Sequence, residues 1–596
     1  MSRCWIGLVA VVGLGGCATS GATTTAAARS VERPGPSWAD SILAAMPVRD
    51  RVAQLVWPFV LGDYVPEGSA EWVRIRRLVT EQHVGGFIVS VGSPLDIAAK
   101  MNALQELSEL PLLVSADLET GVGFRARGGY FLPNAIDLGG ATSFPLQMAL
   151  GATRDTALAY GMARATAREA RALGIHIAFG PVLDVNNNPA NPVIGARSYS
   201  EDPALTARLG AAFVRGLQDH GVLATGKHFP GHGDTETNSH LALSTVNASR
   251  SRLDSVELVP FRAAVRAGVG AIMTFHGFLP ALDSSGVPAT LSPLVMSDLL
   301  RRDMQFDGLL ITDAMDMAGV IDRFGAVEAA KRAIAAGNDI LLMPADVPGA
   351  IDAVAAGLSE GRYTEARLNA SVRRILLLKD RLGLRRERKV PLDRVRTVVG
   401  DSAHVALAQT IADRAVVLAR DHGGLVPFPD DSPTARVRSI TYARRTDLGA
   451  GTAFTAELRR LGVRVANSYV NADDSLPNLD ALLSSIDSAD IVVVGSYVNI
   501  SSTTATAGAP PAFEALMQGV RSRTPRVILV AFGSPYALLQ APDAPSYLIS
   551  WGGLAASQRA AARALAGEIG ITATLPISIP PLLQFGAGEF RNRRRP

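Results

Sequence analysis

The chain has 596 residues, 48% apolar and 19% charged, with a formal net charge of +3. That length outgrows a single hydrophobic core, so two or more domains are expected. The near balance of acids and bases argues against nucleic acid as the principal partner, because phosphate binding needs a concentrated basic face. Two cysteines, Cys4 and Cys17, leave the body of the protein without a disulfide framework or a thiolate-held metal.

The first predicted element is a leader. Arg3 precedes an apolar run from Cys4 to Gly16, shorter than the roughly 20 residues that span a bilayer and suited to a signal-peptide core. It ends Leu14-Gly15-Gly16-Cys17, which resembles the bacterial lipoprotein processing box. The resemblance implies cleavage before Cys17, lipidation of Cys17, and membrane attachment through that anchor. The alternative is an ordinary signal peptide cut at a nearby small residue; both readings make the protein exported, to the cell envelope in the lipoprotein case. An Ala/Thr/Ser tract then leads to Arg33-Pro34-Gly35-Pro36. With nothing to bury, 18–37 reads as a flexible tether.

From 38 to 384 short apolar runs alternate with helical patterns. The runs are Val52 to Val60, Gly85 to Ser90, Pro111 to Ala116, Ile175 to Phe179, Val222 to Thr225, Val269 to Phe275, Leu309 to Thr312 and Asp339 to Met343. Most are continuously apolar, as parallel strands buried on both faces are. Eight strand–helix units predict an α/β fold, a (β/α)8 TIM-like barrel, with an open doubly wound sheet as the alternative. A charge-rich connector follows at 385–402. From 403 to 590 a second set of apolar runs predicts a smaller α/β sandwich with a mainly parallel sheet. Its Pro-rich close, Leu575 to Pro581, reads as a segment wrapping an edge, and 591–596 as a solvated basic tail.

A barrel enzyme carries its reactive residues just beyond the strand C-termini. Asp117, Asp184, Lys227 with His228, His276 and Asp313 all stand at such positions. The densest stretch runs from Lys227 through His228, His232, Asp234, Glu236 and Asn238 to His240, a run of titratable groups in a Gly/Pro-broken loop. Asp313 closes an apolar strand; such a carboxylate serves as nucleophile, general base, metal ligand or helix N-cap, with Asp316 the better capping candidate. His240 suits proton transfer near neutrality. A carboxylate nucleophile with a proton shuttle is the minimum for retaining glycoside hydrolysis, and Lys227, His228 and Arg197 add donors for sugar hydroxyls. The histidines lack zinc-motif spacing, since Pro230 and Gly231 break any helix between His228 and His232. No phosphate loop or dinucleotide fingerprint stands in a credible context, so neither metal nor cofactor is expected.

Lys227 to Thr235 with Ser239-His240 resembles the signature loop of bacterial β-N-acetylglucosaminidases of glycoside hydrolase family 3. Asp184-Val185-Asn186 with the segment Asn191 to Pro203, Asp117-Leu118-Glu119, Ile311-Thr312-Asp313 and Asn338 to Pro344 resemble further blocks of that family, in order. The resemblance implies Asp313 as nucleophile, forming a covalent glycosyl-enzyme, and His240 as acid/base. It implies Asp117 on the distal sugar hydroxyls, with Arg197, Lys227 and His228 on the remaining ring substituents. The implied activity is exo-cleavage of terminal β-linked N-acetylglucosamine from peptidoglycan fragments or chitin-like oligosaccharides.

Two departures stand out. Asn238 occupies the position of an aspartate two residues before the histidine. An amide still orients the imidazole but removes the charge that raises its basicity. After Asp117 the family's Glu-Gly-Gly-Arg-Val is replaced by Glu119-Thr120-Gly121-Val122-Gly123, with Arg125 displaced, so the family arginine's contact does not carry over. The competing readings are a family 3 β-glucosidase or β-xylosidase, a glycoside phosphorylase, and a non-catalytic glycan-binding lipoprotein.

Overall fold

The computed structural model describes residues 37–128, 139–239, 242–429, 436–475, 478–488, 490–498 and 510–594. Cys17 with the whole leader, and His240, lie outside the described residues.

Strand β1 comprises Val56–Trp57 and Phe59–Val60, interrupted at Pro58, which has no N–H to give a ladder. There follow β2 (Gly86–Val89), β3 (Leu113–Asp117), β4 (Ile177–Phe179), β5 (Leu223–Phe229), β6 (Ala271–Thr274), β7 (Leu309–Ile311) and β8 (Leu341–Leu342). All neighbours pair in parallel. The ring closes through β1 with β8 (Val56 opposite Leu341) and a bridge between Ile311 and Ile340. This is the expected barrel. Its strands are buried almost throughout, which is why their sequences read as unbroken apolar runs rather than alternating ones.

Two expectations need correction. The run that begins at Val52 does not open as a strand, because Val48–Ala53 is a helix and pairing starts at Val56. Asp316 is not an N-cap: the helix Ala318–Ala336 is preceded by Met317 and has no side-chain cap.

Elsewhere the helix starts follow capping chemistry. Asp155 accepts the N–H groups of Ala157 and Leu158 at the head of Thr156–Ala172. Asp202 accepts from Ala204 ahead of Pro203–Gln218, whose proline sits where its missing N–H costs nothing. These two helices pack closely because Gly216 leaves room for a neighbouring backbone; a Cβ there would stand 2.5 Å from the Tyr160 carbonyl oxygen.

The second sheet contains β9 (Val417–Asp421), β10 (Val437–Ala443), β11 (Val465–Asn471), β12 (Ile491–Ser496), β13 (Val527–Ala531) and β14 (Ser546–Ile549). Their order is β9-β14-β13-β12-β10-β11, parallel except for β9. The segment from Leu575 to Ser578 turns to the barrel, and the chain then returns to the edge strand β9, where the Glu589 N–H meets the Leu418 carbonyl at 2.7 Å. The Pro576 carbonyl accepts from Ser200 Oγ at 2.6 Å and from the Glu201 N–H at 3.1 Å, and Glu201 in return accepts from Ser578. Tyr536 adds a buried link, its hydroxyl taking the Asn186 amide at 2.8 Å.

The connector is also fastened. Asn102 pairs in both directions with Val390, and Arg388 donates to the Ser108 carbonyl at 2.8 Å.

Candidate active site

The C-terminal ends of the strands surround a cavity of about 490 Å³, lined among others by Asp117, Glu119, Arg125, Arg197, Lys227, His228 and Asp313. The barrel thus gathers five of the sequence-predicted residues, Asp117, Arg197, Lys227, His228 and Asp313, from β3, β5, the turn after β7 and the segment after β4.

Lys227 is the centre of the charge pattern. Its ammonium, 2% exposed as a residue, lies 2.8 Å from Asp117 Oδ1 and 2.8 Å from Glu119 Oε1. Arg125 Nη2 donates to Asp117 Oδ2 at 2.6 Å. Arg197 grips Glu119 with two parallel bonds, Nε at 2.9 Å and Nη2 at 2.7 Å, the planar fork that fixes both direction and distance. Burial alone would raise the carboxyl pKa values. For Asp117 the Lys227 and Arg125 charges outweigh burial and bring it down to about 2. Arg197 and Lys227 likewise hold Glu119 well below the usual range. Burial works against the Lys227 ammonium, but the two carboxylates raise its pKa. Both acids are therefore ionised at neutral pH, and the five groups form one interlocked cluster of three cations and two anions.

Behind this layer Asp184 is fully buried. It accepts from His228 Nδ1 at 2.7 Å, from the His228 N–H and, at 2.7 Å, from the His232 N–H. The contact with a carboxylate assigns the His228 proton to Nδ1. Burial raises the Asp184 pKa less than His228 and His232 lower it.

His232 bonds Thr235 Oγ1 at 2.7 Å and Ser239 Oγ at 2.9 Å, and its ring lies 4.1 Å from that of Phe275. Burial holds it neutral, with a pKa of about 3. Asn191 donates to the carbonyls of His232 and Gly233. The loop is thereby pinned as far as Ser239. Asn238 is buried, and its carbonyl accepts the Ala242 N–H at 3.0 Å; it is not among the cavity-lining residues.

Asp313 accepts the Ala314 N–H at 2.8 Å. The turn that carries it rests on His276, whose Nε2 meets the Ala314 carbonyl at 3.0 Å and whose Nδ1 meets Thr290. His276, at a strand end in the sequence, is fully buried behind the cavity and supports the Asp313 turn.

The sequence does not mark Glu119, Arg125 or His232 as sugar-site residues, and it marks Asp184 only as a strand-end residue that opens a family block. Glu119 was legible in part, two residues from Asp117 in the same block. Arg125 had been set aside as displaced, yet it reaches Asp117 because the short helix Val122–Phe124 folds the chain back toward the cavity. Among the described residues no group of three or more His, Cys, Asp or Glu stands close enough to hold a metal ion, and no described helix is long and apolar enough to cross a membrane.

Comparison with known proteins gives consistent matches. Residues 47–378 match the N-terminal domain of glycosyl hydrolase family 3. The chain is 34% identical over 413 residues to a beta-N-acetylglucosaminidase/beta-glucosidase of Cellulomonas fimi, covering 68% of this chain and 70% of that protein. It is 34% identical over 389 residues to the beta-hexosaminidase LpqI of Mycobacterium tuberculosis, covering 62% of this chain and 94% of the relative. Among solved structures, a family 3 beta-N-acetylglucosaminidase from Paenibacillus superposes with a TM-score of 0.78 at 34% identity. That match covers 90% of this chain and 99% of the other.

Proposed function

The chain belongs to glycosyl hydrolase family 3, and we propose that it is an exo-β-N-acetylglucosaminidase acting with retention of configuration. The observation that carries this reading is the shared cavity: Asp313 faces the same space as a fixed cluster of Asp117, Arg125, Arg197, Lys227 and His228. A terminal sugar seated on that cluster presents its anomeric carbon to Asp313.

In the proposed reaction the Asp313 carboxylate attacks that carbon, the C–O bond to the leaving group breaks, and a glycosyl ester forms. His240 gives its proton to the departing oxygen, then takes one from the water that hydrolyses the ester. Asp117 accepts from the distal hydroxyls, Arg197 and Lys227 donate to the others, and His228, its proton held on Nδ1 by Asp184, accepts through Nε2. Arg125, already on Asp117, supplies the guanidinium that the family block carries at another position. Asn238 orients His240 without adding charge. An exported, Cys17-anchored protein meeting peptidoglycan fragments is the setting that the leader supports.

The test compares aryl β-N-acetylglucosaminide with aryl β-glucoside, with and without phosphate. The acetylamino sugar should be the better substrate, and phosphate should not change the product. Asp313→Ala should lower kcat by about 10⁴-fold or more, and His240→Ala by about 10²-fold or more. Asn238→Asp should move the basic limb of the pH–rate profile upward, because a nearby negative charge raises an imidazole pKa. An unchanged rate in H240A would remove the acid/base assignment, and a preference for the glucoside the substrate class. A sugar phosphate product would make the enzyme a phosphorylase.

A further inference from the structure

The helix Thr156–Ala172, the connector and the start of the helix Ser402–Ala415 enclose a second cavity of about 530 Å³. It lies at the opposite end of the barrel. His176, in its wall, directly precedes β4, and His220 shortly precedes β5. These are the strand N-termini, the face that barrels ordinarily give to stability rather than catalysis.

The cavity is built, not incidental. The Asn102–Val390 pair and the bond from Arg388 hold the connector along one side. On the other, the buried Glu169 carboxylate accepts from the Gly400 N–H at 3.1 Å and from His404 Nδ1 at 2.8 Å. The wall is strongly cationic: Arg168, Arg171, Arg388, Lys389 and Arg394 line it, against Glu387 and Asp401. Asp401 is already engaged as the cap of its helix, accepting from Ala403.

Arg171 is the decisive residue. Its Nη1 is buried and has no hydrogen-bond partner among the described residues. Burial lowers its pKa, with Glu387 opposing. A guanidinium held out of water with an unbonded nitrogen is costly; Glu387 offsets that cost in part, and an arriving anion would offset the rest. His176 adds a neutral donor. It is 2% exposed and accepts the Val114 N–H on Nδ1 at 3.0 Å, so the uncharged ring carries its proton on Nε2.

We propose that this cavity binds a small multiply charged oxyanion, a phosphate-bearing or polycarboxylate compound, with Arg171 as its central contact and the other basic side chains at its rim. The site is separate from the catalytic cavity. A bound anion joins the barrel floor to the connector that leads into the second domain, and so stabilises the whole chain.

The test is thermal unfolding of the full protein in inorganic phosphate and, separately, in citrate, each against sodium chloride at matched ionic strength. At least one of the two should raise Tm by a few degrees, growing with the logarithm of concentration as linked binding requires. A response to phosphate alone or to citrate alone identifies which oxyanion the site takes. Arg171→Met should abolish the anion-specific rise. If R171M fails to fold, the rim variant R168Q/R394Q should weaken the apparent affinity by about tenfold. No rise beyond chloride, or an undiminished rise in these variants, would overturn the proposal.

Discussion

The two ends of the barrel treat buried cations in opposite ways. At the mouth, Lys227 lies 2.8 Å from each of two carboxylates, and those carboxylates are held again by Arg125 and Arg197 at 2.6 to 2.9 Å. At the floor, Arg171 has a buried Nη1 with no hydrogen-bond partner among the described residues; Arg125 Nε at the mouth is also unbonded, but Arg125 is ion-paired to Asp117 through Nη2. Interlocked charges fix donor and acceptor positions before a substrate arrives, the condition for electrostatic preorganisation. A guanidinium with an unbonded buried nitrogen has no such interlock and gains from an added anion. Charge alone thus does not tell a catalytic cluster from an anion seat, whereas pairing does.

The largest expected effect comes from breaking the mouth. Lys227→Met leaves Asp117 and Glu119 close together without their shared cation. Removing one partner of a buried pair costs about 3–5 kcal/mol, read as a drop in the urea midpoint. The same change should lower kcat/KM by about 10²-fold or more, since the lost donor belongs to the sugar-binding set. A K227M protein of parental stability would show that the two arginines suffice and that the lysine is not the hub.

Next comes Asp184→Asn, one layer back. The amide keeps the shape but loses the charge and places an N–H group among three donors, from His228 and His232. A cost of about 1–3 kcal/mol is expected for the buried mismatch. Asp184 acts through His228, so KM should rise more than kcat falls. An equal loss in kcat with KM unchanged would mean that it influences the chemical step instead.

The sequence disclosed the barrel because strands buried on both faces must be apolar throughout, and eight such runs are hard to mistake. It disclosed Asp117, Lys227, His228 and Asp313 because strand ends are where a barrel presents side chains. It blurred the start of β1, since Val52 and Ala53 face the core from a helix as readily as from a strand. Arg125 and His232 were hidden for a different reason. Their roles depend on which loop folds over which, as when the helix Val122–Phe124 returns Arg125 to Asp117, and spacing along the chain carries no signal for that. The arginine-lined floor was equally illegible, because Arg168 and Arg171 read as the polar face of an amphipathic helix until the connector is laid against them.

The smallest effect compares the two ends directly through a matched pair of histidines. His232 at the mouth and His176 at the floor are both buried, and burial is the leading cause that brings each to a pKa of about 3 from an ordinary 6.5. Above pH 6.5 neither ring is protonated in either state, and stability does not depend on them. Between 6.5 and 3 the unfolded chain takes up protons that the folded chain refuses, so stability falls as pH falls, by about 1.4 kcal/mol per pH unit for each ring. His232→Gln and His176→Gln should each remove one ring's share of that slope in urea titrations run from pH 7 to pH 4. If the floor binds an anion, phosphate should leave the His232 share untouched while flattening the His176 share. The anion draws a proton to its neighbour in the folded state, so the folded chain refuses fewer protons and the difference in uptake that sets the slope shrinks. A phosphate effect carried by His232 instead would place the anion at the mouth, where the cations are already paired, and would invert the distinction between the two ends.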